Sequence, residues 1–264
     1  MIDAVLFDLG DTIIDFGVGR REAEVLFRQG AKLTYETLRS EGRKNLPPYQ
    51  HYFKVHYRTM QRAYVWSQLS RRDFSYQDIL TRAAHKLELE LTPAEIHRLA
   101  GLWYVPFHLA STTDPGVGVM LRHLRDSGTK MGIVSNTMVP GHCLDGHLAA
   151  EGLLEYFPVR VYSSQVGFRK PHPRIFEMAL ELIGLPANRV LFIGDLLRAD
   201  IAGAKRVGMR TIWKPARKTF KNGKCPTPPW RHQADFIIPK VTHLPEALQH
   251  FGWQPSRNRQ HMAV

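Results

Sequence analysis

The chain of 264 residues is long enough to bury a sizeable core, as one large domain or as one domain carrying an insertion. Hydrophobic residues make up 44% and charged residues 23%, an ordinary globular composition, and no apolar run approaches the ~20 residues that cross a bilayer. The formal net charge of +12 is spread along the chain without a long basic block, which favours solubility or an anionic small-molecule ligand over nucleic acid.

The first predicted element is AVLF (Ala4–Phe7), a short apolar run that reads as a buried strand. Asp8, Gly10, Asp11 and Thr12 follow it directly. An acid between Phe7 and Leu9 is costly unless it is paired or used. From about Gly17 to Leu109 the character changes: Arg, Gln, His and Tyr are frequent and the pattern is helical. The helices expected here are AEVLFRQGAKLTYETLRSEG, Gln50 to Leu69, SYQDILTRAAHKLELE and LTPAEIHRLAGLW. In the last, Thr92 caps the start, Pro93 suits the first turn and Glu95 completes a capping box. No strand candidate stands out in this stretch, so it reads as a helical cap inserted after the first strand.

Beyond it, GVGVMLRHLRDSG places Val117, Met120, Leu121 and Leu124 at helical spacing before the strand Met131–Ser135. A strand at Val159–Ser163 comes next, then a helix in PRIFEMALELIG and the strand Val190–Gly194. ADIAGAKRVG reads as a helix before the strand Arg210–Trp213. KPARKTFKNGKCPTPPWRHQ, residues 214–233, is basic, Pro-rich and non-periodic: a surface loop with a weak case for an anion or partner site. A last strand is expected at Ala234–Ile238. Strands alternating with helices predict an α/β, doubly wound, Rossmann-like parallel sheet. The organisation expected is a core of residues 1–16 and 110–250, an α-helical cap of residues 17–109, and a polar tail of residues 251–264.

The N-terminus shows no basic segment followed by an apolar stretch and a cleavage site, so no secretory leader is expected. Cys143 and Cys225 have no metal-ligand spacing; two isolated cysteines fit a reduced, cytoplasmic protein without a membrane partner, although pairing is open in principle. His51, His56, His123 and His172 show no metal spacing, and His142 and His147, five apart, do not share a helical face.

In an open α/β sheet, ligands bind beyond the carboxyl ends of the strands. Four polar sets fall there: Asp8 after the first strand, Ser135 and Asn136 after the second, Lys170 in the loop after the third, and Asp195 with Asp200 after the fourth. Singly, each has an ordinary structural explanation. Ser135 ends a strand as caps and turns do, Lys170 reads as a solvated charge, and Asp200 stands where a helix cap is expected.

Together and in order, these segments resemble the haloacid dehalogenase-like (HAD) hydrolase superfamily, in its phosphatase-like branch. FDLGDT resembles the first family motif in part, IVSN the second, RKPHPRIF the third, and IGDLLRAD the fourth, a GDxxxxD acid pair. The resemblance spans Met1 to about Phe251 and includes the early helical insertion between the first two motifs. It implies that Asp8 is the nucleophile and forms an aspartyl-phosphate. It implies Mg²⁺ held by Asp8, Asp195 and the backbone carbonyl of Gly10, with Asp200 supporting the metal or orienting Lys170. Ser135 and Asn136 would donate to phosphoryl oxygens, and Lys170 would neutralise charge. The implied substrate is a small phosphorylated molecule, selected largely by the cap.

One position departs from the family. Most of its phosphatases read DxDxT, where the second Asp protonates the leaving oxygen and then activates water; here that position is Gly10. Three outcomes follow: Asp11 substitutes, the substrate has a leaving group that needs little protonation such as an acyl or aryl phosphate, or the protein is a slow or inactive relative that binds phosphorylated ligands. A haloacid dehalogenase is disfavoured by GDLLRAD, because those enzymes need no metal.

Overall fold

The computed structural model describes residues 1–220, 224–226 and 234–253. Most of the basic stretch after Phe220, residues 221–223 and 227–233, lies outside the described residues, as do residues 254–264 of the expected tail.

The chain opens with β1 (Ala4–Phe7), followed by a two-residue strand β2 (Ile14–Asp15). Four helices follow: α1 (Arg20–Ser40), α2 (Tyr49–Ser70), α3 (Tyr76–Lys86) and α4 (Pro93–Ala110). The chain returns through β3 (Thr112–Thr113), which pairs antiparallel with β2. Then come α5 (Gly116–Asp126), β4 (Lys130–Ser135), α6 (Gly141–Ala150), β5 (Val159–Tyr162), α7 (Ser163–Val166), α8 (Pro173–Ile183) and β6 (Val190–Gly194). The last elements are α9 (Ala202–Arg206), β7 (Arg210–Trp213), β8 (Phe236–Ile237) and α10 (Leu244–Gln249).

Six strands form one parallel sheet in the order β5-β4-β1-β6-β7-β8, the doubly wound arrangement. Apolar runs such as AVLF and VLFIG are buried along their whole length, which is what strands covered on both faces require. Alternation then sorts the side chains. Val5, Phe7, Met131, Ile133, Leu191 and Ile193 join the cluster containing α5, α6 and α10. Ala4, Leu6, Val134 and Phe192 join the one formed with α8 and α9.

The four inserted helices bury aromatic rings against one another. Phe27 meets Phe53, Tyr57, Tyr76 and Trp103 edge-on, and Tyr76 stacks on Trp103 at 3.8 Å. Each such pair contributes about 0.5–1.5 kcal/mol beyond its area. The expected capping box is present: Glu95 N–H donates to Thr92 Oγ1 at 3.2 Å and Thr92 N–H to Glu95 Oε2 at 2.7 Å. Gly30 lets α1 approach α4, since a Cβ there would collide with the Trp103 carbonyl oxygen and lie 2.7 Å from its Cδ1. Helix propensity alone favours Gly30→Ala by about 1 kcal/mol. The contact should win, and urea unfolding should show a net loss of about 1–3 kcal/mol.

Several boundaries differ from expectation. The fourth helix runs past Trp103 to Ala110 through Pro106, whose missing N–H is outweighed by burial of Trp103 and Tyr104 and packing of Phe107. The third ends at Lys86, where Glu88 turns left-handed at φ 54°. The strand expected to Ser163 stops at Tyr162, and the last strand contracts to Phe236–Ile237. The helix expected in ADIAGAKRVG begins with a wide turn at Leu197–Ile201 before α9. The tail begins later than residue 251: Trp253 is buried and its Nε1–H donates to Thr129 Oγ1 at 2.9 Å. Cys143 and Cys225 are unpaired. Among the described residues, no helix is long and apolar enough to cross a membrane.

Candidate active site

The three central strands end level with one another. Phe7 lies opposite Ile133 on one side and Ile193 on the other, so the next residues reach the same edge. Asp8, at the tip of β1, donates its N–H to Ile193 O at 2.8 Å. Ser135 closes β4 and is buried, and Asp195 follows β6, half-buried. The sheet's connections reverse direction beside β1, which is where doubly wound folds place ligands.

Lys170 reaches into this edge from the loop before α8. Its ammonium donates to Asp8 Oδ1 at 2.6 Å and to Val134 O at 2.8 Å. Asp200 Oδ1 lies 2.7 Å from the same nitrogen, a second buried ion pair. The other oxygen of Asp200 accepts Leu196 N–H at 2.8 Å, which fixes the turn after β6. Asp8, Lys170 and Asp200 are all nearly inaccessible.

Asn136 holds the loop that carries Lys170. Its Nδ2 donates to Lys170 O at 2.9 Å, and its Oδ1 accepts Lys170 N–H at 2.7 Å. This clasp fixes the backbone of Lys170 and engages one of the two Nδ2 protons. The α2–α3 turn reinforces the same loop: Asp73 N–H donates to Gly167 O and Arg169 N–H to Arg71 O. Asp73 also accepts from Ser163 Oγ at 2.7 Å. The helical insertion thus grips the segment that carries Lys170.

Asp11 sits in the loop between β1 and β2 in a left-handed conformation, φ 55°. Its carboxylate accepts from Lys218 Nζ at 2.6 Å, and its carbonyl from Lys214 Nζ at 2.6 Å. These two lysines were not singled out by sequence. The signal was the basic stretch after β7, and folding brings its first residues onto the loop after β1. Gly10 has no neighbour that would exclude a side chain: a Cβ would meet only the Phe16 ring, at 3.6 Å.

The electrostatics follow from burial and crowding. Burial pushes the Asp8 carboxyl up to about 6, against the pull of Lys170. Burial, and then the charges of Asp8 and Asp200, pushes Asp195 up to about 8. Burial alone would depress Lys170, but the Asp200 and Asp8 carboxylates hold it above its ordinary value. Carboxylate oxygens of Asp8, Asp195 and Asp200 lie within 4.8 Å of one another. One ammonium against three carboxylates leaves negative charge in excess. An all-oxygen set of this kind fits a hard divalent cation.

A family model described as haloacid dehalogenase-like hydrolase matches residues 2–208. The chain belongs to the haloacid dehalogenase-like hydrolases. It is 30% identical over 229 residues to a glyceraldehyde 3-phosphate phosphatase of Pyrococcus abyssi, covering 85% of this chain and 83% of that one. Among solved structures, a HAD phosphatase from Thermococcus onnurineus superposes with a TM-score of 0.59 at 25% identity, over 94% of this chain and 98% of the other. A 2-haloacid dehalogenase from Pseudomonas syringae shares the fold, with a TM-score of 0.64 at 24% identity over 95% and 100% of the two chains.

Within this HAD hydrolase, an apolar cavity of about 740 Å³ lies among the inserted helices, lined by Phe27, Tyr57, Met60, Tyr64, Phe107 and Met138. Met138 follows Ser135 by three residues, so the cavity borders the strand-end loops.

Proposed function

We propose that this HAD hydrolase is a Mg²⁺-dependent phosphatase of a small phosphorylated molecule, with Asp8 as its nucleophile. The observation that supports it most is the buried Asp8–Lys170–Asp200 row beside Asp195, at the ends of adjacent strands.

Burial raises the Asp8 carboxyl, and the Lys170 ammonium 2.6 Å away favours the ionised form that attack requires. An Asp8 oxygen attacks phosphorus in line; the bond from phosphorus to the leaving oxygen breaks and an aspartyl-phosphate forms. Water then attacks that phosphorus, releases phosphate and restores the Asp8 carboxylate. Lys170 offsets the phosphoryl charge gathered against Asp8, and Ser135 donates to a phosphoryl oxygen. Asp8, Asp195 and the Gly10 carbonyl would hold Mg²⁺, with Asp200 supporting the set; the bound ion would neutralise phosphoryl charge.

Gly10 supplies no proton to the leaving oxygen, and the Asp11 carboxylate is engaged by Lys218. The chemistry therefore favours leaving groups that depart without full protonation. Glyceraldehyde 3-phosphate, named for the Pyrococcus relative, heads the substrates to test. The apolar cavity argues for adding larger, less polar phosphates, and aryl and acyl phosphates test the leaving-group requirement. Phosphate release from such a panel, with Mg²⁺ and with chelator, is the deciding measurement. No release from any member at any metal concentration would sink the phosphatase reading. It would leave the second reading that Gly10 favours, a relative that binds phosphorylated ligands without turnover.

The metal has a separate signature in stability. Without it, folded Asp8 and Asp195 keep protons up to about 6 and 8, whereas unfolded carboxyls near 3.8 have released theirs. Raising the pH through this interval removes protons from the folded state alone and lowers stability. The gain in Tm given by Mg²⁺ over chelator should therefore grow as pH rises from about 4 to about 8. Thermal melts at stepped pH check this; a gain that stays flat contradicts it.

A further inference from the structure

We propose a second metal site, for Zn²⁺, formed by His108, His147 and Glu151 at the seam between α4 and α6. One ligand atom from each lies within 4.8 Å of the other two. His147 and Glu151 are four residues apart at the end of α6 and share a face. His108 comes from the last turn of α4, and its ring lies on that of His147, centroids 3.9 Å apart and planes 24° from parallel. The donor set is two imidazole nitrogens and one carboxylate oxygen. It suits Zn²⁺, with water in the fourth position, and differs in kind from the all-oxygen cluster around Asp8.

The surroundings of His147 support ligation. The ring is buried, and Nδ1 lies 2.8 Å from the Tyr104 hydroxyl. A metal-binding histidine characteristically uses its second nitrogen in this way, donating to an outer partner that fixes ring and tautomer. Ligation through Nε2 requires the tautomer in which Nδ1–H donates to Tyr104 and Nε2 carries no proton. Its one polar neighbour among the described contacts is Ser111 Oγ at 3.3 Å. That hydroxyl donates to His108 O at 2.7 Å, so in the metal-free protein it can accept an Nε2–H proton, which the ion would displace to Nδ1.

Tetrahedral bonds of ~2.0–2.1 Å bring ligand atoms to about 3.4 Å apart. Half-buried His108 must turn its ring out of the stack, because the ion lies in the plane of each imidazole, and exposed Glu151 must draw in, while His147 stays fixed. The bound ion would tie the last inserted helix to a helix packed on the sheet, next to β3 where the chain re-enters the core. It would brace the seam without touching the acid cluster.

The test uses the full chain carrying Asp195→Asn, which weakens the acid cluster as a competing site. Co²⁺ followed by its visible absorption, with Zn²⁺ displacing it, should titrate one site with nitrogen-ligand character. His108→Gln and Glu151→Gln, chosen because neither residue is buried, should each weaken binding by more than about tenfold. Tyr104→Phe, which keeps the ring and removes the outer partner, should weaken it by about 10–100-fold. Zn²⁺ should raise Tm in the parent and not in His108→Gln. Absence of a Co²⁺ site, or an affinity unchanged in His108→Gln, overturns the proposal. So does binding that survives His108→Gln and disappears in His97→Gln, which would place the ion at the neighbouring His97–His142 stack, 3.6 Å between centroids.

Discussion

Asp8→Asn is expected to abolish phosphate release, by on the order of 10⁴-fold or more, while leaving the fold intact. Removing a covalent nucleophile costs an enzyme roughly this much, because the remaining groups only bind and orient. Asn keeps the shape but cannot attack phosphorus and return as a carboxylate. Stability should move little, for two opposing reasons. Lys170 loses one partner, but Asp200 Oδ1 remains 2.7 Å away. The crowded acids gain relief, because the fold already resists ionisation of Asp8, pushed up to about 6 by burial. Phosphate release and thermal melting, measured on one preparation, separate the outcomes. A variant that melts like the parent yet keeps a tenth of its turnover would remove Asp8 from the nucleophile's role.

Gly10→Asp should raise turnover of alkyl phosphates by about 10²–10⁴-fold, the usual worth of a positioned acid–base group. The position tolerates a side chain, since a Cβ there meets only the Phe16 ring at ordinary contact distance, 3.6 Å. Gly10→Ala adds the same carbon without the carboxyl and should give no gain. The effect should also depend on the leaving group. Aryl and acyl phosphates need little protonation and should change least, so the slope of rate against leaving-group pKa should flatten in Gly10→Asp. If the parent already shows a flat slope, another group moves the proton, and Asp11 is the nearest acid in sequence. Its carboxylate would first have to leave Lys218.

The short apolar runs and the order of polar residues after them were enough to read a doubly wound sheet and to place Asp8, Ser135 and Asp195 on one edge. That much is local. A parallel strand buried on both faces is continuously apolar, and its carboxyl end delivers the next residue to the ligand side whatever the neighbours do. Lys170 was legible for a similar reason, since it sits at a fixed place between two strands, but its partners were not.

What needed the tertiary structure is of another kind. The clasp of Asn136 on Lys170 joins residues 34 positions apart, and the contact of Lys218 with Asp11 spans 207. Strands β2 and β3 are two residues long, too short to show any period, and exist only because the chain leaves and re-enters the sheet at one place. His142 and His147 did not read as a pair from spacing, and folding pairs each with a ring from α4 instead, His97 and His108. Sequence by itself determined the elements and the strand-end chemistry, because side-chain periodicity and strand polarity are local properties of the chain. Only the packing of distant segments decided which groups share a proton, a charge or an ion, because those interactions act over a few ångströms between residues that no local pattern links.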